Sequence, residues 1–155
     1  MISGGNYRQL AGGSAVALSH TGDTNETLLT SVTIPPLGPN DQIAISALWQ
    51  YPNSGNTKTL IVRFGTSSGV TGTVLASHAS TTSLAMRWLV EGGNRNARNS
   101  QIWGTGGANV GTSPAANVVT ALDTSVPTFI NFTAQLASGA ETITLAQYRV
   151  EIVRG

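Results

Sequence analysis

This chain offers few places for chemistry to happen. It has two histidines, His20 and His78, and no cysteine, so neither a thiolate nucleophile, a disulfide framework nor a thiolate metal site is available. A Ser-His-Asp arrangement or an imidazole-ligated metal has to be assembled around one of the two histidines. His20 stands at a strand end before Thr21-Gly22-Asp23, and His78 lies among alanine and serine. Neither falls in a recognisable motif, and both read as ordinary surface or edge residues. The seven carboxylates are scattered. Asp23 and Glu26 are close enough to share a cation with loop carbonyls, but the segment lacks the dense Asp/Asn ladder of a dedicated calcium loop. No acids stand paired in sequence as glycoside hydrolysis needs. The glycines after Trp103 (GTGGANVG) neither follow a long apolar strand nor open a helix with Lys-Ser/Thr, which argues against a phosphate cradle. The expectation is a protein that is not an enzyme, with no catalytic residue, no metal and no cofactor.

Residues suited to contacts are easier to find. Trp49 and Trp88 fit inward strand positions. Trp103 and Tyr51 are the candidates for exposed aromatic contacts, with packing under a loop or a subunit contact favoured over sugar binding. Arg87, Arg95 and Arg98 are candidates for a local basic patch, and arginine is enriched at interfaces. Asn25-Glu26-Thr27 and Asn131-Phe132-Thr133 match the glycosylation pattern, as expected by chance in a chain this rich in Asn and Thr.

Charge is scarce. Only 10% of the 155 residues are charged and the net charge is +1, against about 25% charged in ordinary domains. No large field steers the protein to nucleic acid or an anionic membrane. Hydroxyl groups fill the gap, with 15 serines and 20 threonines beside 18 glycines. Charge is depleted at the cores of interfaces, so this surface suits a particle whose faces are occupied by neighbours. No signal peptide and no run of about 18 apolar residues is present, which implies synthesis in the cytoplasm and no membrane span.

The elements that must position these residues have a period of two. Glu26–Ile34 puts Leu28, Thr30, Val32 and Ile34 on one face. Gln42–Gln50 alternates Ile43, Ile45, Ala47 and Trp49 with Ala44, Ser46, Leu48 and Gln50. Thr59–Gly65 turns Leu60, Val62 and Phe64 inward, Ser83–Glu91 turns Leu84, Met86, Trp88 and Val90 inward, and Thr128–Leu136 turns Ile130, Phe132, Ala134 and Leu136 inward. In Thr142–Val153 the parity changes, with Ile143 and Leu145 on odd positions and Tyr148, Val150 and Ile152 on even ones. A β-bulge near Ala146–Gln147 returns both sets to one face. Ser14–His20, Val74–Ser77, Gln101–Trp103 and Val118–Leu122 are weaker strands. Three prolines in Pro35–Asn40, together with Pro52–Asn56 and Ala137–Ala140, mark connections. The pattern predicts an all-β fold, an antiparallel β-sandwich that is jelly-roll-like with 8–9 strands, in a single domain over residues 14–155. Two regions do not read as strands: an N-terminal arm, residues 1–13, and a long Gly/Asn-rich loop, residues 92–116. Both are candidate contact regions.

The stretch HTGDTNETLLTSVTIPPLGPNDQIAISALWQYPNSGNTKTLIVRFG (His20–Gly65) resembles small β-sandwich virion proteins of tailed bacteriophages, found among head-decoration and tail-fibre-region proteins. The ending LASGAETITLAQYRVEIV (Leu136–Val153) is similar to their final strand pair. The resemblance covers a little over a third of the chain and carries no functional residue across. It implies a virion structural protein, a homo-oligomer and most often a trimer. The leading expectation is a capsid decoration (cement) protein that binds the major capsid protein, with Tyr7, Arg8, Leu10, Arg95, Arg98 and Trp103 as subunit or capsid contacts. The alternative is a tail-fibre or receptor-binding module in which loops rich in Asn, Thr and Trp103 contact a host surface glycan. A lytic enzyme on a jelly roll is the more distant third.

Overall fold

The computed structural model describes residues 7–82, 85–104 and 117–155. Among them are eleven β-strands and no helix: β1 (Tyr7–Ser14), β2 (Leu18–Thr21), β3 (Thr27–Ile34), β4 (Gln42–Gln50), β5 (Lys58–Gly65), β6 (Thr73–Ser80), β7 (Ala85–Asn94), β8 (Gln101–Trp103), β9 (Val118–Thr120), β10 (Thr128–Leu136) and β11 (Thr142–Arg154). They form two antiparallel sheets. The larger runs β1-β11-β4-β7-β8-β9, with β2 also paired to β11, and the smaller runs β3-β10-β5-β6. The all-β sandwich expected from the alternation is the observed architecture.

Alternation is realised as burial. Ile43, Ile45, Ala47 and Trp49 of β4 face Leu60, Val62 and Phe64 of β5 and Ile130, Phe132, Ala134 and Leu136 of β10 across one core. Each such aliphatic or aromatic side chain contributes about 1.5–3 kcal/mol when fully buried. Trp49 and Trp88 meet edge to face, 6.2 Å apart at 70°, the geometry that ring quadrupoles favour. On β11 the register breaks between Leu145 and Gln147 against β4, where the parity change calls for a bulge. Ala146 is the extra residue, and Ile143, Leu145, Val150 and Ile152 are all buried.

Several expectations are corrected. The count of 8–9 strands becomes eleven: β1 was expected as an arm, while β8 and β9 stand where the weaker strands Gln101–Trp103 and Val118–Leu122 were expected. The arm meets a strand from Tyr7 onward, laid antiparallel on β11 from Tyr7↔Arg154 to Ser14↔Tyr148. Residues 1–6 lie outside the described residues, as do 105–116 of the expected loop and Ser83 and Leu84. The rest of that loop is a hairpin, with Gly92, Gly93 and Asn94 paired to Trp103, Ile102 and Gln101. In β3 a register break puts Thr30 opposite Phe132 and Leu28 opposite Thr133. Leu29, not Leu28, therefore packs against the core. His20 is 4% exposed rather than a surface residue, because β2 is held against β11.

Deleting Ala146 makes the alternation of β11 regular while keeping Leu145 and Tyr148 on the inward side. Deleting Arg149 turns Val150 and Ile152 outward. The first deletion is expected to give soluble protein with a cooperative thermal transition, and the second aggregated or unfolded protein. Equal behaviour of the two by circular dichroism would refute the bulge assignment.

Candidate functional site

At one end of the sandwich, polar side chains gather into two linked networks. The first centres on Asp41, at the end of the proline-rich β3–β4 connection. Its Oδ2 accepts the Gly38 N–H at 2.7 Å and a hydrogen bond from Arg154, and its Oδ1 accepts the Gly155 N–H at 3.1 Å. Arg154 also donates to Pro36 O and to Gln9 Oε1, both at 3.1 Å. The Asp41 carbonyl accepts the Asn94 N–H at 3.0 Å. One residue thus joins the β3–β4 connection, β1, β7 and the end of β11.

The second network lies beneath the β7–β8 hairpin. Asn94 Nδ2 donates to Gly38 O at 2.7 Å and Thr124 Oγ1 at 2.9 Å. Gln101 Nε2 donates to Asn94 Oδ1 at 3.0 Å, while Gln101 Oε1 accepts from Thr120 Oγ1 at 2.9 Å and Leu122 N at 3.1 Å. Thr124 Oγ1 and the Thr124 N–H both donate to Arg98 O. Asn94, Gln101, Thr120 and Thr124 are all buried, and in a water-poor site such a network holds only when its members are paired. Within the hairpin turn Asn96 takes φ 54, the left-handed conformation that asparagine tolerates better than most residues.

This arrangement decides where the candidate contact residues stand. Tyr7 begins β1 opposite Arg154 and is 60% exposed. Arg8 is exposed and paired to Glu151 at 3.1 Å. Arg95 and Arg98 are exposed on the hairpin turn, with Arg95 Nη2 donating to Ser100 Oγ at 3.0 Å. Through Arg154, Asp41 and Asn94 these four residues share one end. Leu10, 60% exposed, lies three residues along the edge. Arg87 does not join them: it sits eight residues down β7 from Arg95, roughly 26 Å at about 3.3 Å per residue.

Trp103 is not an exposed contact but packs inside, in line with the reading of packing under a loop. It is fully buried, tilted on Phe64 at 4.9 Å, and its Nε1 donates to Thr120 Oγ1 at 3.1 Å. It contacts no partner or glycan from there, and Tyr51 is likewise buried. The seat of the indole is Gly92, where an added Cβ would lie 2.6 Å from Trp103 Cδ2 and from Ile102 O. Of the Gly-Gly pair that reads as a loop signal, Gly92 makes the space that Trp103 fills and Gly93 lies against Asp41 and Gln42.

The opposite end holds a cluster the sequence did not announce. Lys58, the only lysine of the protein, is fully buried. Its Nζ donates to Ser54 Oγ at 2.5 Å and Asn56 O at 2.7 Å, and lies 3.4 Å from Glu141 Oε2. Ser54 in turn donates to Glu141. Serine, lysine and glutamate together suggest nucleophilic catalysis. Here, however, the Ser54 hydroxyl donates to Glu141 and not to the amine, which itself donates to the serine oxygen and to a carbonyl. The cluster ties the β4–β5 turn to the β10–β11 turn. The one clear hint in the sequence was a lone lysine just inside a strand. A third lock, on the outer face of the smaller sheet, is the bidentate pair of Arg63 with Glu26 at 2.8 and 2.7 Å, to which Thr133 adds a hydrogen bond at 2.5 Å.

These locks set the acidities. Burial pushes the Asp41 carboxyl up, but the Gly38 and Gly155 N–H groups and Arg154 outweigh it and hold it below the usual range. Burial likewise pushes the Glu26 carboxyl up, and Arg63 and Thr133 outweigh it and hold it below the usual range. The Ser54 hydroxyl leads in holding Glu141 low. Among the described residues no three metal-ligating side chains cluster, and no helix is long and apolar enough to cross a membrane, which leaves β-barrels aside. Compared with protein-family models, with curated proteins and with solved structures, the chain matches none.

Two outcomes follow from the geometry. Gly92→Ala forces its methyl onto the Trp103 ring and is expected to cost about 1–3 kcal/mol in urea unfolding; a neutral effect would mean that the indole is not seated there. The three carboxylates are held low when folded, so the unfolded chain binds protons that the folded chain refuses. Stability is therefore full above the ordinary carboxylate range and falls as pH drops through about 4 and below. Asp41→Asn is expected to lower stability at neutral pH and to flatten that acid slope, read from urea melts between about pH 6 and 2. An unchanged slope would show that Asp41 is not one of the groups responsible.

Proposed function

We propose that the chain is a structural protein of a bacteriophage virion: a decoration, or cement, protein that binds the major capsid protein of an assembled head and stabilises it. The observation that carries this reading is the strand order. With β1, β8 and β9 set aside, the remaining strands pair as β2-β11-β4-β7 and β3-β10-β5-β6. This order supports a jelly-roll reading of the sandwich, an architecture frequent among viral capsid proteins and also used by lectins. It agrees with the resemblance of His20–Gly65 and Leu136–Val153 to small phage virion proteins.

A fold hosts many roles, so the surface has to choose between them. Lys58, Arg8, Arg63, Arg149 and Arg154 are all in ion pairs with carboxylates. Among the described residues Arg87, Arg95 and Arg98 are in none. Arg95 and Arg98 share an end with Tyr7, and the polar networks beneath fix that end in place. A rigid end with two unpaired guanidinium groups and an exposed aromatic suits a protein contact, since arginine and tyrosine carry much of the energy of interfaces. The receptor-binding reading drew on loops rich in Asn, Thr and Trp103, and of these Trp103 is buried. In the mechanism, a protein that binds only the assembled lattice stabilises that lattice by mass action. Symmetric attachment at many points lets modest contacts add. The place of action is the virion, after synthesis in the host cytoplasm.

Micrographs of particles test the reading by copy number. Hundreds of copies on the head are expected, and a handful confined to the tail would overturn it. Arg95→Glu with Arg98→Glu should weaken rebinding of purified protein to stripped heads by about tenfold or more, with thermal unfolding unchanged.

A further inference from the structure

Each sheet edge leaves a row of backbone N–H and C=O groups open to another strand, and proteins blunt such edges with charge, proline, bulges or short length. The described edges differ in this respect. β9 is three residues long. β1 carries Arg8 paired to Glu151 and is broken in register between Leu10 and Gly12. β3 is followed at once by Pro35-Pro36, and β1 lies close against it, with Gly12 leaving room for Val32. β6, the outer strand of the smaller sheet, has none of these protections along most of its length. Its sequence, TVLASHAS, holds no proline and no Asp, Glu, Lys or Arg. Its one register break, between Val62 and Arg63 of β5, leaves Ala76–Ser80 regular. Ser77 and Ala79 are exposed and small, so the backbone of another strand can approach to the spacing of about 4.8 Å that a ladder requires.

We infer that β6 is the self-association edge of this protein, pairing antiparallel with β6 of a second copy across a two-fold axis. The inference rests on the reading that the chain assembles with copies of itself, and it names the surface. The second copy is the fitting occupant because the strand is self-complementary. An axis at Ser77 sets Ser77 against Ser77 and Ala76 against His78. Inward-side residues then meet inward-side residues, as the pleat demands. No like charges oppose one another, since burial also holds His78 below its ordinary pKa. A single strand pairing buries little area, so the association is weak, and it is strengthened when both copies are held on one shell.

The test uses charge at Ser77, where an exposed side chain leaves folding intact. Sedimentation of the full chain should show a concentration-dependent dimer. Ser77→Lys and Ser77→Glu, each alone, should weaken it by about tenfold or more. An equimolar mixture of the two variants should restore the dimer, because Lys then opposes Glu. Association of the single variants equal to wild type, or no recovery on mixing, would overturn the inference. So would a wild type that sediments only as a monomer or as a trimer insensitive to Ser77. Binding of wild type to heads, measured separately, fails or succeeds independently of these outcomes and reports on the decoration reading alone.

Discussion

The carboxylate of Asp41 is the interaction on which the ordered end of this molecule depends. Without it the Gly38 and Gly155 N–H groups lose their side-chain acceptor and the Arg154 guanidinium loses its carboxylate partner. The proline-rich connection also loses the anchor that brings the Asp41 carbonyl to Asn94. Asp41 is buried, and a buried charge is tolerable only when hydrogen-bonded on every side. That requirement is what draws four chain segments to one point. The hairpin of β7 and β8 inherits its position from this arrangement, because Gly93 packs directly against the backbone of Asp41 and Gln42.

A chain with so few charges uses them unlike an ordinary soluble domain. Most of its cations are joined to carboxylates in locks that fasten turns to strands: Arg154 to Asp41, Lys58 to Glu141 and Arg63 to Glu26. Buried and half-buried pairs of this kind add less stability than their Coulomb attraction suggests, because desolvation opposes it. Their contribution is positional. They hold connections in which the hydrophobic effect has little to grip, since loops rich in Ser, Asn and Gly bury almost no apolar area.

Much of the fold was legible because alternation reports burial directly. β4, β5, β7 and β10 each present large apolar side chains every second residue, and the parity change in β11 located its bulge at Ala146. The misreadings share a cause: strand identity depends on pairing, which leaves no periodic trace where neither face is deeply buried. Most of β1 is exposed on both faces, so Tyr7–Ser14 carried no signal beyond two scattered anchors. Gly92 and Gly93 suggested a loop because glycine there is set by what approaches it, and the approaching groups, Trp103 at Gly92 and Asp41 with Gln42 at Gly93, are distant in sequence. The indole was placed outside for the same reason. The candidate site was less legible than the fold: Asp41, Asn94, Gln101 and Thr124 come from separate segments, and no local spacing foretells that polar residues so placed will meet in the interior.

The geometry separates the two surfaces that carry the functional argument. Ser77 pairs with Ile61 and Ser80 with Lys58, so the regular part of the β6 edge runs toward the Lys58 end. Tyr7, Arg95 and Arg98 occupy the other end, on strands of the larger sheet. On the decoration reading proposed above, surfaces so placed act at once, one copy gripping a lattice by its arginine-bearing end while the β6 edge meets a neighbour. Each contact is small. A β-edge of eight residues and an end with two unpaired guanidinium groups fall well short of the area that a stable isolated complex needs. Weak contacts at separate positions become strong only where a lattice repeats them at fixed spacing. A protein with such contacts and little free charge is poorly equipped to hold a partner alone and well equipped to hold an array.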